Sequence, residues 1–115
     1  MAGVKEVDVA GAGPDFVASL ERAAAAGHRP LALVDGVFSA TGEVAPLARI
    51  HERLARCPGS GLLVDDAHGF GCLGDRGRGA YELAGLWERV NRLDPADPAP
   101  ALFACGTLSK ALGGF

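Results

Sequence analysis

At 115 residues, 49% hydrophobic and 22% charged, the chain has the make-up of one globular domain at most. A net charge of −3 with scattered arginines leaves no basic stripe for nucleic acid, and no apolar stretch approaches the length of a membrane span. The amino terminus, MAGVKEVDVA, lacks the pattern of a signal peptide, and Cys57, Cys72 and Cys105 form no zinc spacing. These features together imply reduced thiols and a cytoplasmic location.

In chain order, Val4–Val9 alternates partly and predicts a short strand. Pro14 and Asp15 suit the first turn of a helix in which Phe16, Val17, Leu20 and Ala24 share one face and Gly27 is the stop. The apolar run at 30–34 predicts a buried strand ending at Asp35-Gly36. Pro46 opens a second helix with Leu47, Ile50, Leu54 and Cys57 on its inner face, broken by Pro58-Gly59-Ser60-Gly61. A strand at 61–64 then delivers Asp65, and a glycine-rich loop follows. A helix is expected from about Ala80, with Leu83, Trp87 and Val90 turned inward. LDPADPAP at 93–100 reads as a linker, and 101–105 as the last strand. The alternation is βαβαβαβ, and uniformly apolar strands suit a mainly parallel sheet covered on both faces.

In such sheets ligands gather at the carboxyl ends of the strands. Three polar clusters sit there: Asp35 to Ser39, Asp65 to His68, and Gly106 to Lys110. Taken singly, each has a plain explanation. The aspartates are good turn residues, with Asp66 assigned to a turn, and Ser39 and Thr107 can bond nearby backbone. Asp65, Asp66 and His68 could offer metal ligands, although so few ligands make a weak site and no metal is expected. The glycines at 74–79 do not sit between a strand and a helix as a dinucleotide fingerprint requires, and GTLSK is not a P-loop. Arg76 and Arg78 are read as loop anchors, Trp87 as a core or interface residue, and His28 and His51 as structural or solvated.

Lys110 stands out because only two of the eleven basic residues are lysines. A lysine can lose its proton and attack a carbonyl, which a guanidinium cannot do at neutral pH. A Schiff-base lysine working with pyridoxal phosphate needs a carboxylate for the pyridine nitrogen, hydroxyls for the phosphate and a side chain near the ring. Asp65, Thr107, and Ser39 or His68 are the right types.

DGVFSATGEVAPL at 35–47, VDDAHGFGCLGDRGRG at 64–79 and GTLSKALGG at 106–114 resemble the α-oxoamine synthases, which are fold-type I pyridoxal-phosphate enzymes. The resemblance implies an α/β fold, this chain being the central slice of a mainly parallel-sheet large domain over 1–115. An amino-terminal segment and a carboxyl-terminal small domain would then lie outside it. The resemblance further implies that Lys110, Asp65 and His68 are catalytic. All three, with Ser39 and Thr107, would contact pyridoxal 5'-phosphate: Lys110 as the Schiff-base lysine, Asp65 at the ring nitrogen, His68 near the 3-oxygen, and Thr107 at the phosphate. The implied reaction condenses an amino acid with an acyl-CoA thioester in a homodimer, with loss of carbon dioxide in most of the family. An aminotransferase of the same fold is an alternative, although DDAH favours the synthase branch; so is a non-catalytic remnant. The stretch at 93–100 is longer than the family leads one to expect, and an insertion there is implied.

Overall fold

The computed structural model describes residues 14–92 and 94–114. The strand expected at 4–9 lies outside them. The first helix, α1 (Pro14–Ala25), buries Phe16 and Leu20 on one face. It closes at Gly27, whose φ of +77° lets the amides of Gly27 and His28 bond back to Ala24 and Ala23.

Strands β1 (Leu31–Asp35), β2 (Gly61–Asp65) and β3 (Ala101–Cys105) form one parallel sheet in the order β1-β2-β3. They pair without offset, so that Asp35, Asp65 and Cys105 stand side by side at the carboxyl edge. The helix α2 (Leu47–Leu54) crosses between β1 and β2, and Ser60 ties off its end by donating 2.8 Å to the Leu54 carbonyl.

Strand alternation sorts the side chains. Ala32, Leu62, Val64 and Leu102 face the helices and are buried in one cluster with Leu47, Ile50, Leu54 and Tyr81. Tyr81 is fully enclosed, and its hydroxyl donates 3.0 Å to the Leu62 carbonyl. The opposite face departs from the expectation of a sheet covered twice. There Leu31 and Leu33 are 58% and 63% exposed, because among the described residues only one helical layer packs on the sheet.

The helix expected from Ala80 is cut short. Helix α3 (Ala80–Leu83) is a single turn, closed when Gly85 (φ +72°) turns left-handed and the Leu86 amide reaches back to the Tyr81 carbonyl. A 3-10 turn, Trp87–Arg89, follows. Leu83, placed inward by the helical reading, is therefore exposed, while Trp87 and Val90 do pack on the core. Beyond them Val90 bridges to Leu102, and Asp94 and Asp97 each accept a backbone N–H two residues on, so the proline-rich stretch runs as a pair of aspartate-capped turns.

Candidate active site

The carboxyl ends of the three strands deliver the three loops foreseen in the sequence. From β1 the chain enters a tight excursion closed by the Val37–Val44 bridge and by Ala45 N–H donating to the Gly36 carbonyl; Ser39 lies exposed on it. From β3 it enters the 106–114 loop, where the Thr107 and Ser109 hydroxyls share a 2.7 Å hydrogen bond and the Gly113 amide closes a turn on the Lys110 carbonyl. From β2 it enters the glycine-rich loop.

Lys110 and His68 meet across 42 residues of chain, with Nζ 3.0 Å from Nε2. A charged ammonium can only donate here. With Lys110 in that form, Nε2 is the acceptor and the imidazole proton sits on Nδ1; with a neutral amine the roles can reverse. Asp65 occupies the open face of the sheet at the same edge, and its Oδ1 accepts the Ala67 N–H at 3.0 Å. It borders an open cleft of about 470 Å³ shared with Leu33, Phe38, Leu63 and Cys105. Among the described residues, only the Lys110–His68 hydrogen bond joins two of the expected site residues. Asp65 and Thr107 bond within their own turns, and Ser39 lies exposed on the loop after β1.

Two acidic residues organise this region without having been assigned to it. Asp66, read from sequence as a turn residue, is 4% exposed. One carboxylate oxygen accepts the Ala80 N–H at 2.7 Å and the other is buried without a partner. Burial drives its pKa above the usual carboxylate range, and the charge of Asp65 pushes the same way against the Ala80 hydrogen bond. Strand phase was the available signal: 62, 64 and 66 alternate onto the covered face, so Asp66 follows Leu62 and Val64 inward. The second is Glu82, whose Oε2 accepts the backbone amides of both Arg76 and Arg78. It holds the glycine-rich loop from α3. The arginines do anchor this loop, through their main chains and through Arg78, which lies 5.4 Å over the Trp87 ring and 3.7 Å from Glu88.

No group of three or more metal-ligating side chains gathers among the described residues, and none of their helices is long and apolar enough to cross a membrane.

The family model described as aminotransferase class I and II matches residues 4–114. The chain belongs to that family. It is 46% identical over 89 residues to the 8-amino-7-oxononanoate synthase of Alkalilimnicola ehrlichii, covering 77% of this chain and 20% of that protein. With the synthase of Aromatoleum aromaticum it shares 48% over 100 residues, 84% of this chain and 22% of the other. Among solved structures it superposes on a serine palmitoyltransferase from S. paucimobilis that carries a PLP–myriocin aldimine. There the TM-score is 0.65 at 31% identity, over 86% of this chain and 22% of that one. The α/β fold with a parallel sheet is thus that of fold-type I pyridoxal-phosphate enzymes, as the three motifs implied. The chain spans about a fifth of the length of these relatives.

Proposed function

We propose that the chain is the cofactor-anchoring part of a pyridoxal-phosphate-dependent acyltransferase of the α-oxoamine synthase type, acting on an amino acid and an acyl-CoA thioester. The observation that carries this reading is the 3.0 Å contact between Lys110 and His68 at the strand edge that also presents Asp65. The donor set fits the cofactor by chemistry. A primary amine, a carboxylate, an imidazole and the hydroxyls of Ser39 and Thr107 lie on loops from adjacent strand ends. Leu33, Leu63 and Phe38 supply an apolar wall to the cleft that Asp65 borders.

Each residue has a task that follows from its atoms. His68 Nε2, holding a lone pair toward Nζ, can take a proton from Lys110 and leave the neutral amine that attacks a carbonyl. Asp65, with Oδ1 pinned by Ala67, presents a carboxylate of fixed orientation that would hold a proton on a pyridine nitrogen. Thr107, its hydroxyl already oriented by Ser109, would donate to a phosphate, and Ser39 would add a second hydroxyl. When bound, the cofactor supplies an electron sink for the substrate's α-carbon. Assembly of the whole protein as a homodimer in the cytoplasm belongs to the same proposal.

The two lysines make the test internally controlled. The chain is incubated with pyridoxal phosphate, reduced with borohydride and digested, and the labelled peptides are identified by mass. Label is expected on Lys110 in clear excess over Lys5, and Lys110→Ala should remove it. Equal labelling of both lysines, or none on Lys110 at saturating cofactor, would overturn the reading.

A further inference from the structure

Asp66 does not touch the cleft, yet the loops that carry the site residues are built around it. Its amide donates 2.8 Å to the Cys105 carbonyl, fastening the end of β3 just before the lysine loop. Its carbonyl accepts the amides of both Gly69 and Phe70, closing the turn that carries His68. Its side chain accepts the Ala80 N–H, closing the 66–80 loop at the far end. The carboxylate fits a recess lined by Gly36, Gly69 and Gly79, and a Cβ on any of the three would collide with it. Gly79 has a φ of +90°, but Gly36 and Gly69 are not in left-handed conformations. Those two positions need glycine for space alone; the Asp66 carboxylate comes first at both, with the Ala80 methyl also tight, at 3.0 Å, against a Cβ at Gly36.

We propose that Asp66 is a positioning residue: its carboxyl group, seated among the three glycines and bonded to Ala80, holds His68 against Lys110. The alternative for a buried aspartate at a turn is a local cap. A cap would need only the bond to Ala80, and would give no reason for the carboxylate to sit against Gly36 as well, which belongs to the loop after β1. One carboxylate thus touches the loops that follow β1 and β2, and its main chain fixes the third. Removing it frees the 66–80 loop from Ala80 and leaves an empty recess beneath His68, and the imidazole loses its fixed approach to Nζ.

The inference rests on the proposed function only for what the Lys110–His68 pair is used for. Its test therefore reads the pair itself in the cofactor-free chain. Nitrogen-15 NMR of the His68 ring at about pH 8, where imidazole is neutral, distinguishes the Nδ1–H tautomer that the contact demands from the Nε2–H form. Wild type should show Nδ1–H in the majority. Asp66→Asn, which keeps the shape and an oxygen for Ala80, should retain it. Asp66→Ala should lose it with far-UV circular dichroism unchanged. Gly36→Ala, which leaves Asp66 in the sequence but pushes on its carboxylate, should lose it too, and it decides the question if Asp66→Ala does not fold. Retention of Nδ1–H in a folded Asp66→Ala or Gly36→Ala protein, its absence from wild type, or its loss in Asp66→Asn would overturn the inference. None of these outcomes bears on where borohydride places the label, so the two readings fail separately.

Discussion

Gly79→Ala should cost about 3 kcal/mol more than Gly85→Ala although each adds one methyl group at a left-handed glycine. At Gly85 (φ +72°) nothing lies within 4 Å of the new Cβ, so the cost is the left-handed backbone of an L-residue, about 1–2 kcal/mol. At Gly79 the backbone sits at φ +90° and ψ −162°, a region open to little but glycine, which alone costs about 1–3 kcal/mol. The methyl also lands on the Asp66 carboxylate. Moving that group breaks its hydrogen bond to Ala80, worth about 1.5–3 kcal/mol for a charged acceptor. The total for Gly79→Ala is then about 2.5–6 kcal/mol, against a domain stability of about 5–15 kcal/mol. Urea titration followed by Trp87 fluorescence measures both variants. With a slope of about 2 kcal/mol per molar, mid-range costs place the Gly79→Ala midpoint about 1 M below that of Gly85→Ala. Coincident midpoints would refute the idea that the glycine-rich loop is packed on Asp66.

Tyr81→Phe removes a buried side-chain hydrogen bond into the middle of the sheet while keeping the ring; a loss of about 1 kcal/mol is expected, or a drop in Tm of about 4–8 °C. No change in Tm would mean that Leu62 does not depend on that hydroxyl. The pH dependence of stability should carry two opposite contributions. Burial raises the Asp66 pKa, so the folded state holds that proton more tightly, and stability falls as pH rises from the ordinary carboxylate range through the raised value. Burial lowers the His51 pKa, helped by Arg89 and opposed by Glu52 and Asp97, so stability is lost as pH falls below the ordinary imidazole range. Neither slope can exceed about 1.4 kcal/mol per pH unit. Asp66→Asn should flatten the first and His51→Gln the second in urea titrations at stepped pH, and an unchanged curve in either variant would contradict the corresponding burial.

Local pattern was enough to place β1, β2 and β3, because each is a short apolar run bounded by glycine or proline; β1 and β2 end in Asp35 and Asp65, and β3 ends in Cys105 just before Gly106-Thr107. The motifs marked Lys110 and His68 separately, each for the cofactor; their meeting at 3.0 Å depends on how two loops fold toward each other, which no spacing along the chain encodes. The missed elements have specific causes. Leu83, Trp87 and Val90 follow helical spacing, but Gly85 ends the helix after one turn, and a periodic pattern cannot see a glycine that turns left-handed. The face left open among the described residues is not legible in the pattern, because apolar strands read alike whether one face is covered or two. Asp66 was assigned by residue type, since aspartate next to a loop suggests a turn; its burial follows from strand phase and from three glycines that are far apart in sequence and adjacent in space.

The recess around Asp66 also constrains how this segment can change over evolutionary time. Alanine at 36, 69 or 79 meets an occupied space while the aspartate remains, and a shorter side chain at 66 leaves a hole while the glycines remain. Either first step loses stability before a compensating second step can arrive. The four positions are therefore expected to behave as one heritable unit. A double variant joining Asp66→Ala to Gly69→Ala should be more stable than the sum of its parts implies, a mark of strong pairwise epistasis inside a loop that otherwise looks permissive.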